Sequence, residues 1–225
     1  HTLHVHHGKF GGILNGVDYD IWNPEADQHI PLRYGVQSLD RKFENKRALR
    51  QRFWLQDTFK PVICYIGRLD HQKGVPLITH AIHYCLQHGT QFVLLGTSPD
   101  GGIGHHFWRL KQHYNDNPDC HLEIGFDEDL SHLIYAGSDL ILVPSLFEPC
   151  GLTQMIAMRY GSVPLVRAVR RGRDPGAVRV VAVGPASHRT AVGPRFRAGL
   201  ARGATPGGRC ARRAAAGGFR LVGLP

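Results

Sequence analysis

From Lys60 onward, short apolar runs alternate with segments of helical period, and this alternation constrains the fold more than any other feature of the chain. Pro61–Ile66 (PVICYI), Gln91–Leu95 (QFVLL, then Gly96), His121–Phe126 (HLEIGF) and Asp139–Val143 (DLILV) read as strands, and Ser162–Val166 (SVPLV) begins another. Val75–His88 carries Val75, Ile78, Ile82 and Leu86 on one helical face, and His106–Tyr114, Asp129–Ala136 and Gly151–Arg159 read as further helices. Strands that are apolar almost throughout, each followed by a helix, predict a parallel sheet covered on both faces, the doubly wound α/β arrangement. Ligands of such sheets collect outside the carboxyl ends of the strands. The informative loops are therefore 67–74, 96–104, 125–128 and 144–151. Upstream, residues 16–60 read as an incoming loop and a charged helix with Leu49, Phe53 and Leu55 on its apolar side.

Charge divides the chain unevenly. The whole carries 27 Lys+Arg against 18 Asp+Glu, a formal +9, but residues 165–225 hold 13 of those basic residues and a single acid, Asp174. The remaining body is mildly acidic, which argues against nucleic acid as a partner, since that class needs a basic face. Ala, Gly, Arg, Val and Pro supply 49 of the last 61 residues without helical or strand periodicity. The GC-rich codons shared by Ala, Gly, Arg and Pro suggest a gene read out of frame from about Leu165; a genuinely disordered basic tail is the other reading. The domain plan expected is 1–14 as the end of a preceding domain or linker, 15–166 as the folded domain, and 167–225 as the tail. The chain opens on His1 without a signal or transit pattern and reads as a fragment or processed chain. No apolar run approaches the roughly 18 residues of a membrane-spanning helix. Five cysteines without a Cys-x-x-Cys pair signal neither a disulfide framework nor a zinc cluster.

Two strand-end loops carry the chemistry. In Gly67-Arg68-Leu69-Asp70-His71-Gln72-Lys73-Gly74, two cations sit between glycines just before a helix. Arg68 can grip phosphate oxygens bidentately, Lys73 adds a point charge, and Gly67 and Gly74 allow close backbone approach. A surface loop whose cations pair with nearby acids is the plainer alternative, and no Walker motif is present. In Pro144–Gln154 (PSLFEPCGLTQ), Glu148 can accept sugar-type hydroxyls while backbone N–H groups from Cys150 to Thr153, at a helix start, face an anion. Glu148 as a simple helix cap and Cys150 as a small buried residue form the alternative there. His4, His6 and His7 lack a carboxylate or cysteine at ligand spacing and are not read as a metal site. His80 and His83 read as surface or rim groups. Gly101-Gly102-Ile103-Gly104 is only part of a dinucleotide fingerprint and reads as a surface loop.

Four motifs carry a family resemblance: Asn15-Gly16-Val17-Asp18; Gly67-Arg68 with Gln72-Lys73-Gly74; Ser131–Gly137 (SHLIYAG); and Phe147–Gln154 (FEPCGLTQ), with Ala157–Ser162 (AMRYGS) closing the set. Together they resemble the carboxyl-terminal half of plant soluble starch synthases, relatives of the bacterial glycogen synthases, over residues 8–166. The resemblance implies a GT-B glycosyltransferase of two Rossmann-like domains, this chain being the incomplete carboxyl-terminal one. It further implies transfer of glucose from ADP-glucose to the non-reducing end of an α-1,4-glucan, with retention and without a metal or other cofactor. The implied partners are ADP-glucose, the glucan and other starch-biosynthetic enzymes, with neither nucleic acid nor membrane. The implied compartment is a plastid, either amyloplast or chloroplast.

By the same resemblance, Arg68 and Lys73 neutralise the diphosphate leaving group and Glu148 holds glucose hydroxyls. The amides of Cys150 and Gly151 help place the sugar, those of Leu152 and Thr153 meet phosphate, Asn15 lies near the glucosyl unit, and Phe126 lines the adenine pocket; Gly67, whose backbone allows close approach, is counted with them as substrate-binding. Two departures stand out. The amino-terminal domain with its Lys-x-Gly-Gly-Leu loop is not present, and after Arg167 the family's Lys-Thr-Gly-Gly-Leu type loop is replaced by Ala168-Val169-Arg170-Arg171-Gly172. The expectation is a chain that binds donor at most and does not elongate glucan alone. A non-catalytic module that binds ADP-glucose or a partner synthase is the competing function.

Overall fold

The computed structural model describes residues 15–167, with 7–9, 11 and 13 before them and the strand segments 177–182, 191–192 and 196–197 after them. The reading of 167–225 as a disordered or out-of-frame tail falls largely outside these residues, as do His4 and His6.

The parallel strands are β1 (Val62–Ile66), β2 (Gln91–Gly96), β3 (Cys120–Ile124), β4 (Leu140–Val143) and β5 (Val163–Arg167). Their spatial order is β3-β2-β1-β4-β5, so the strand order reverses between β1 and β4. Strand β6 (Ala177–Ala182) adds antiparallel to β5, an extension that the sequence did not predict. The helices are α1 (Lys42–Arg52), α2 (Val75–Gln87), α3 (Gly101–Tyr114), α4 (Glu128–Gly137) and α5 (Leu152–Arg159). The expected doubly wound sheet is thus present.

The period-2 alternation of the strands divides their side chains between two cores. Val62, Cys64, Val93, Leu95, Ile141 and Val143 face α1, α4 and α5, together with Ile30 and Tyr34 of the incoming loop. Tyr65, Phe92, Leu94, Leu122 and Leu142 face Ile78 and Ile82 of α2 and Phe107 of α3. Phe92 and Phe107 are fully buried, and truncating either to Ala costs about 3–5 kcal/mol at such sites.

Three of the helix starts are set by local chemistry. Asp100 accepts from Ile103 N–H (2.9 Å) and Asp127 from Leu130 N–H (2.9 Å), each capping a first turn. The Asp100 cap corrects the reading of Gly101–Gly104 as a surface loop: these glycines form the opening turn of α3, because the cap outweighs their poor helix propensity. Helix α2 instead begins after Gly74 in the left-handed region (φ 75°), with Pro76 tolerated in its first turn. A further correction concerns α1, which ends at Arg52: Trp54 takes a positive φ of 53°, so Phe53 and Leu55 reach the core from the turn after the helix.

At the amino ends of the strands, Arg50 Nε donates to Gln91 Oε1 (2.8 Å) and Arg50 Nη2 to the Lys60 carbonyl (2.8 Å). Gln91 Nε2 donates in turn to the Gln56 carbonyl (2.7 Å), so these buried polar groups are satisfied. Asp139 accepts from Lys46 Nζ (2.7 Å) and Val62 N–H (2.6 Å), joining α1 to the start of β1. The incoming loop is locked down by Asp27, whose Oδ2 accepts from His132 Nδ1 of α4 (2.7 Å) and from the Tyr160 hydroxyl, with Trp22 stacked on His132 at 4.1 Å.

Candidate functional site

The reversal of strand order leaves a crevice outside the carboxyl ends of β1 and β4, where open α/β sheets bind their ligands. The two loops that border it are 67–74, after β1, and 144–151, after β4. They are stitched together: Leu146 N–H donates to the Gln72 carbonyl (2.8 Å) and Gln72 Nε2 to the Phe147 carbonyl (3.3 Å). Gly74 passes so close to Pro144 that an added Cβ would lie 2.5 Å from the Pro144 carbonyl oxygen. Glycine is required there both for its positive φ and for this approach.

The stitching brings two predicted residues into contact. Lys73 Nζ donates to Glu148 Oε1 at 2.5 Å, with both side chains about four-fifths buried. Ser145 Oγ donates to the same oxygen at 2.6 Å. Asp70 shapes the Lys73 turn by accepting from Lys73 N–H (2.9 Å), and its other oxygen lies 3.5 Å from Arg68 Nη2. Arg68 itself is 60% exposed, which leaves its guanidinium able to turn toward an anion. Its backbone is fixed by the Tyr65 hydroxyl, which donates to the Arg68 carbonyl (2.5 Å). Burial raises the Tyr65 phenol well above its ordinary value, with Asp70 and Glu148 adding to the effect, so it stays a donor.

Helix α5 starts after Gly151 (φ 78°) without a side-chain cap. An intrahelical bond runs from Met155 N–H to the Gly151 carbonyl (3.3 Å), and the amides of Leu152 and Thr153, in the first turn, lie ahead of any intrahelical acceptor. They and the helix dipole present partial positive charge at the crevice. Cys150 Sγ donates to the Asn15 carbonyl (3.4 Å), which brings Asn15 to this loop from 135 residues away.

Beside the crevice, a cavity of about 280 Å³ is lined by Trp22, Gly67, Arg68, Gly96, Phe126 and Glu128 among others. Phe126 is 83% exposed on its rim, an aromatic face without cover. Tyr135 also lines this cavity. The structure thus gathers the predicted residues into two contiguous sets. Lys73, Glu148, Cys150, Gly151, Leu152, Thr153 and Asn15 border the crevice, and Gly67, Arg68 and Phe126 border the cavity. Sequence reasoning missed Ser145, Tyr65, Gln72, Trp22 and Tyr135. Ser145 and Gln72 lay inside quoted motifs, whereas Tyr65 read as an ordinary strand residue.

Among the described residues, no group of three or more His, Cys, Asp or Glu is arranged to hold a metal ion, and no helix is long and apolar enough to cross a membrane.

Residues 47–174 match the family model described as glycosyl transferases group 1. A glycogen synthase 1 of Nitrosococcus oceani is 63% identical over 169 residues, covering 75% of this chain and 35% of its own. Glycogen synthase 2 of Methylococcus capsulatus is 60% identical over 168 residues, covering 75% and 34%. The chain therefore spans about a third of the length of the relatives it matches. Among solved structures, the catalytic domain of starch synthase IV from Arabidopsis thaliana, described as bound to ADP and acarbose, superposes with a TM-score of 0.72 at 49% identity over 74% of this chain and 34% of that one.

Proposed function

Because the chain belongs to the group 1 glycosyl transferases and folds as the carboxyl-terminal Rossmann-like domain of a GT-B enzyme of the glycogen and starch synthase type, we propose that it holds the sugar-nucleotide donor, ADP-glucose, for retaining transfer of glucose to the non-reducing end of an α-1,4-glucan. The observation that carries this reading is the meeting of Lys73, Glu148 and the uncapped start of α5 at the reversal of strand order, with Arg68 on the same rim. Lys73 Nζ lies 2.5 Å from the Glu148 carboxylate, and the first turn of α5 opens four residues further along the same loop. A ligand that carries a diphosphate next to a polyhydroxyl ring matches that pattern.

The roles follow from charge. Breaking the bond between glucose and diphosphate moves negative charge onto the phosphate oxygens. Arg68, Lys73 and the amides of Leu152 and Thr153 are the donors available where that charge would grow, and stabilising it lowers the barrier. Glu148 accepts from glucose hydroxyls and keeps the anomeric carbon near the acceptor. The cavity beside Arg68 suits the nucleoside, with Phe126 available to stack on the adenine. The ADP and acarbose held by the Arabidopsis relative support a nucleotide and a glucan-like ligand as its two substrates.

Calorimetric titration of ADP-glucose into the purified chain tests the proposal. Binding that is lost in the Arg68→Ala, Lys73→Ala double variant supports it, and binding that survives both changes refutes it. We assign the acceptor half of the site to the remaining two-thirds of such a protein, so radiolabelled glucose is expected not to enter glucan with this chain alone. Turnover would overturn that assignment. We also propose, on the motif resemblance, a plant soluble starch synthase that works in an amyloplast or chloroplast beside other starch-biosynthetic enzymes. Immunodetection confined to fractions other than plastids would refute the compartment.

A further inference from the structure

Glu148 is held asymmetrically. Its Oε1 accepts two hydrogen bonds, from Lys73 Nζ (2.5 Å) and Ser145 Oγ (2.6 Å), whereas Oε2 has no hydrogen-bond partner among the described residues. The two donors differ in how firmly they are fixed. Lys73 carries its charge on a flexible four-carbon stem and can follow a stronger anion. Ser145 is 4% exposed and has a single rotatable bond to its hydroxyl oxygen. Its backbone is pinned on both sides, by the Pro144 carbonyl against Gly74 and by Leu146 N–H on the Gln72 carbonyl.

We propose that Ser145 is the positioning residue for sugar recognition: it fixes the Glu148 carboxylate by Oε1 so that Oε2 faces the hexose hydroxyls, and it keeps it there when a diphosphate draws Lys73 away. The inference rests on the reading of this crevice as a sugar-nucleotide site and adds what that reading lacks. The phosphate-binding cation and the sugar-binding carboxylate share one oxygen in the free chain, and a second donor is needed for the carboxylate to hold its direction once they part. Ser145 acts through Glu148 and touches the sugar only by way of it. Its removal is therefore felt by the hexose part of the donor and not by the nucleotide part.

The test compares ADP with ADP-glucose in calorimetric titrations of this chain. Ser145→Ala is expected to leave ADP affinity within about twofold and to weaken ADP-glucose about ten- to a hundredfold, the size of effect given by losing one hydrogen bond to a charged group. Ser145→Thr, which keeps the hydroxyl, is expected to restore most of the difference. Lys73→Ala should weaken both ligands. Equal weakening of ADP and ADP-glucose by Ser145→Ala would mark Ser145 as a general support of the loop and overturn the proposal, as would no change in either. If the unsubstituted chain binds neither ligand, the sugar-nucleotide reading itself falls, and the positioning role falls with it.

Discussion

Gly74 and Gly89 offer a paired experiment on how the crevice is built. Both residues have positive φ, 75° and 66°, but a Cβ on Gly74 would lie 2.5 Å from the Pro144 carbonyl oxygen, whereas a Cβ on Gly89 would meet nothing within 4 Å. Gly89→Ala therefore isolates the left-handed strain, about 1–2 kcal/mol. Gly74→Ala adds a backbone clash. Real Cβ atoms essentially never come closer than 3.0 Å to such an atom, so the two loops must part by about 0.5 Å or more. Parting strains the Leu146–Gln72 hydrogen bond, worth about 1 kcal/mol net, and moves Glu148 away from Lys73. For a domain of this size each kcal/mol shifts the melting temperature by roughly 2–4 °C. Gly89→Ala should then melt about 4 °C below the unsubstituted chain and Gly74→Ala about 8 °C below it. Scanning calorimetry supplies the stabilities and ADP-glucose titration the function, which only Gly74→Ala should weaken. If Gly74→Ala is no less stable than Gly89→Ala and binds donor normally, the close approach of the two loops does not shape the site.

Asp27 gives a pH prediction. Burial pushes its carboxyl up, but the hydrogen bonds from His132, Tyr160 and the His29 amide, with the charge of His132, outweigh it and hold the group below its ordinary 3.8. The unfolded chain therefore takes up this proton first as pH falls. The stability it contributes is whole above pH 3.8 and is lost as pH drops through the lower folded value, a limb that Asp27→Asn should flatten in urea titrations between about pH 2 and 5. Gln91→Leu strips the buried Arg50 Nε of its acceptor and should cost about 2–3 kcal/mol in denaturant unfolding, with donor affinity unchanged because the site lies at the opposite ends of the strands.

Strand positions were legible because burial on both faces leaves an unbroken apolar run, as in Phe92–Leu95. Ends were less so. His121–Phe126 read as one strand, yet β3 stops at Ile124, and only the two-residue step beyond it carries Phe126 onto the cavity rim. The start of α3 was hidden because propensity speaks against three glycines, while the cap from Asp100 decides. Arg68, Lys73 and Glu148 were legible as charges set among glycines and prolines at strand ends. Ser145 and Tyr65 were not, because a serine in a loop and a tyrosine in a strand announce nothing until their hydroxyls are seen to aim at Glu148 and Arg68. Nor does any spacing rule join Asp27 to His132, which are 105 residues apart.

That last contact bears on how relatives of this chain can exchange parts. Asp27 precedes the first strand, yet both side chains that satisfy it lie beyond β3, at His132 and Tyr160. A recombination joint anywhere from residue 28 to residue 131 takes Asp27 from one parent and His132 from the other, so a hybrid keeps the buried trio only when both parents carry it. Joints ahead of Trp22 leave the trio and its stacked indole in single custody. The unit of inheritance here is therefore longer than the sheet that defines the domain by eye, and it begins in a loop that has no strand or helix to mark it.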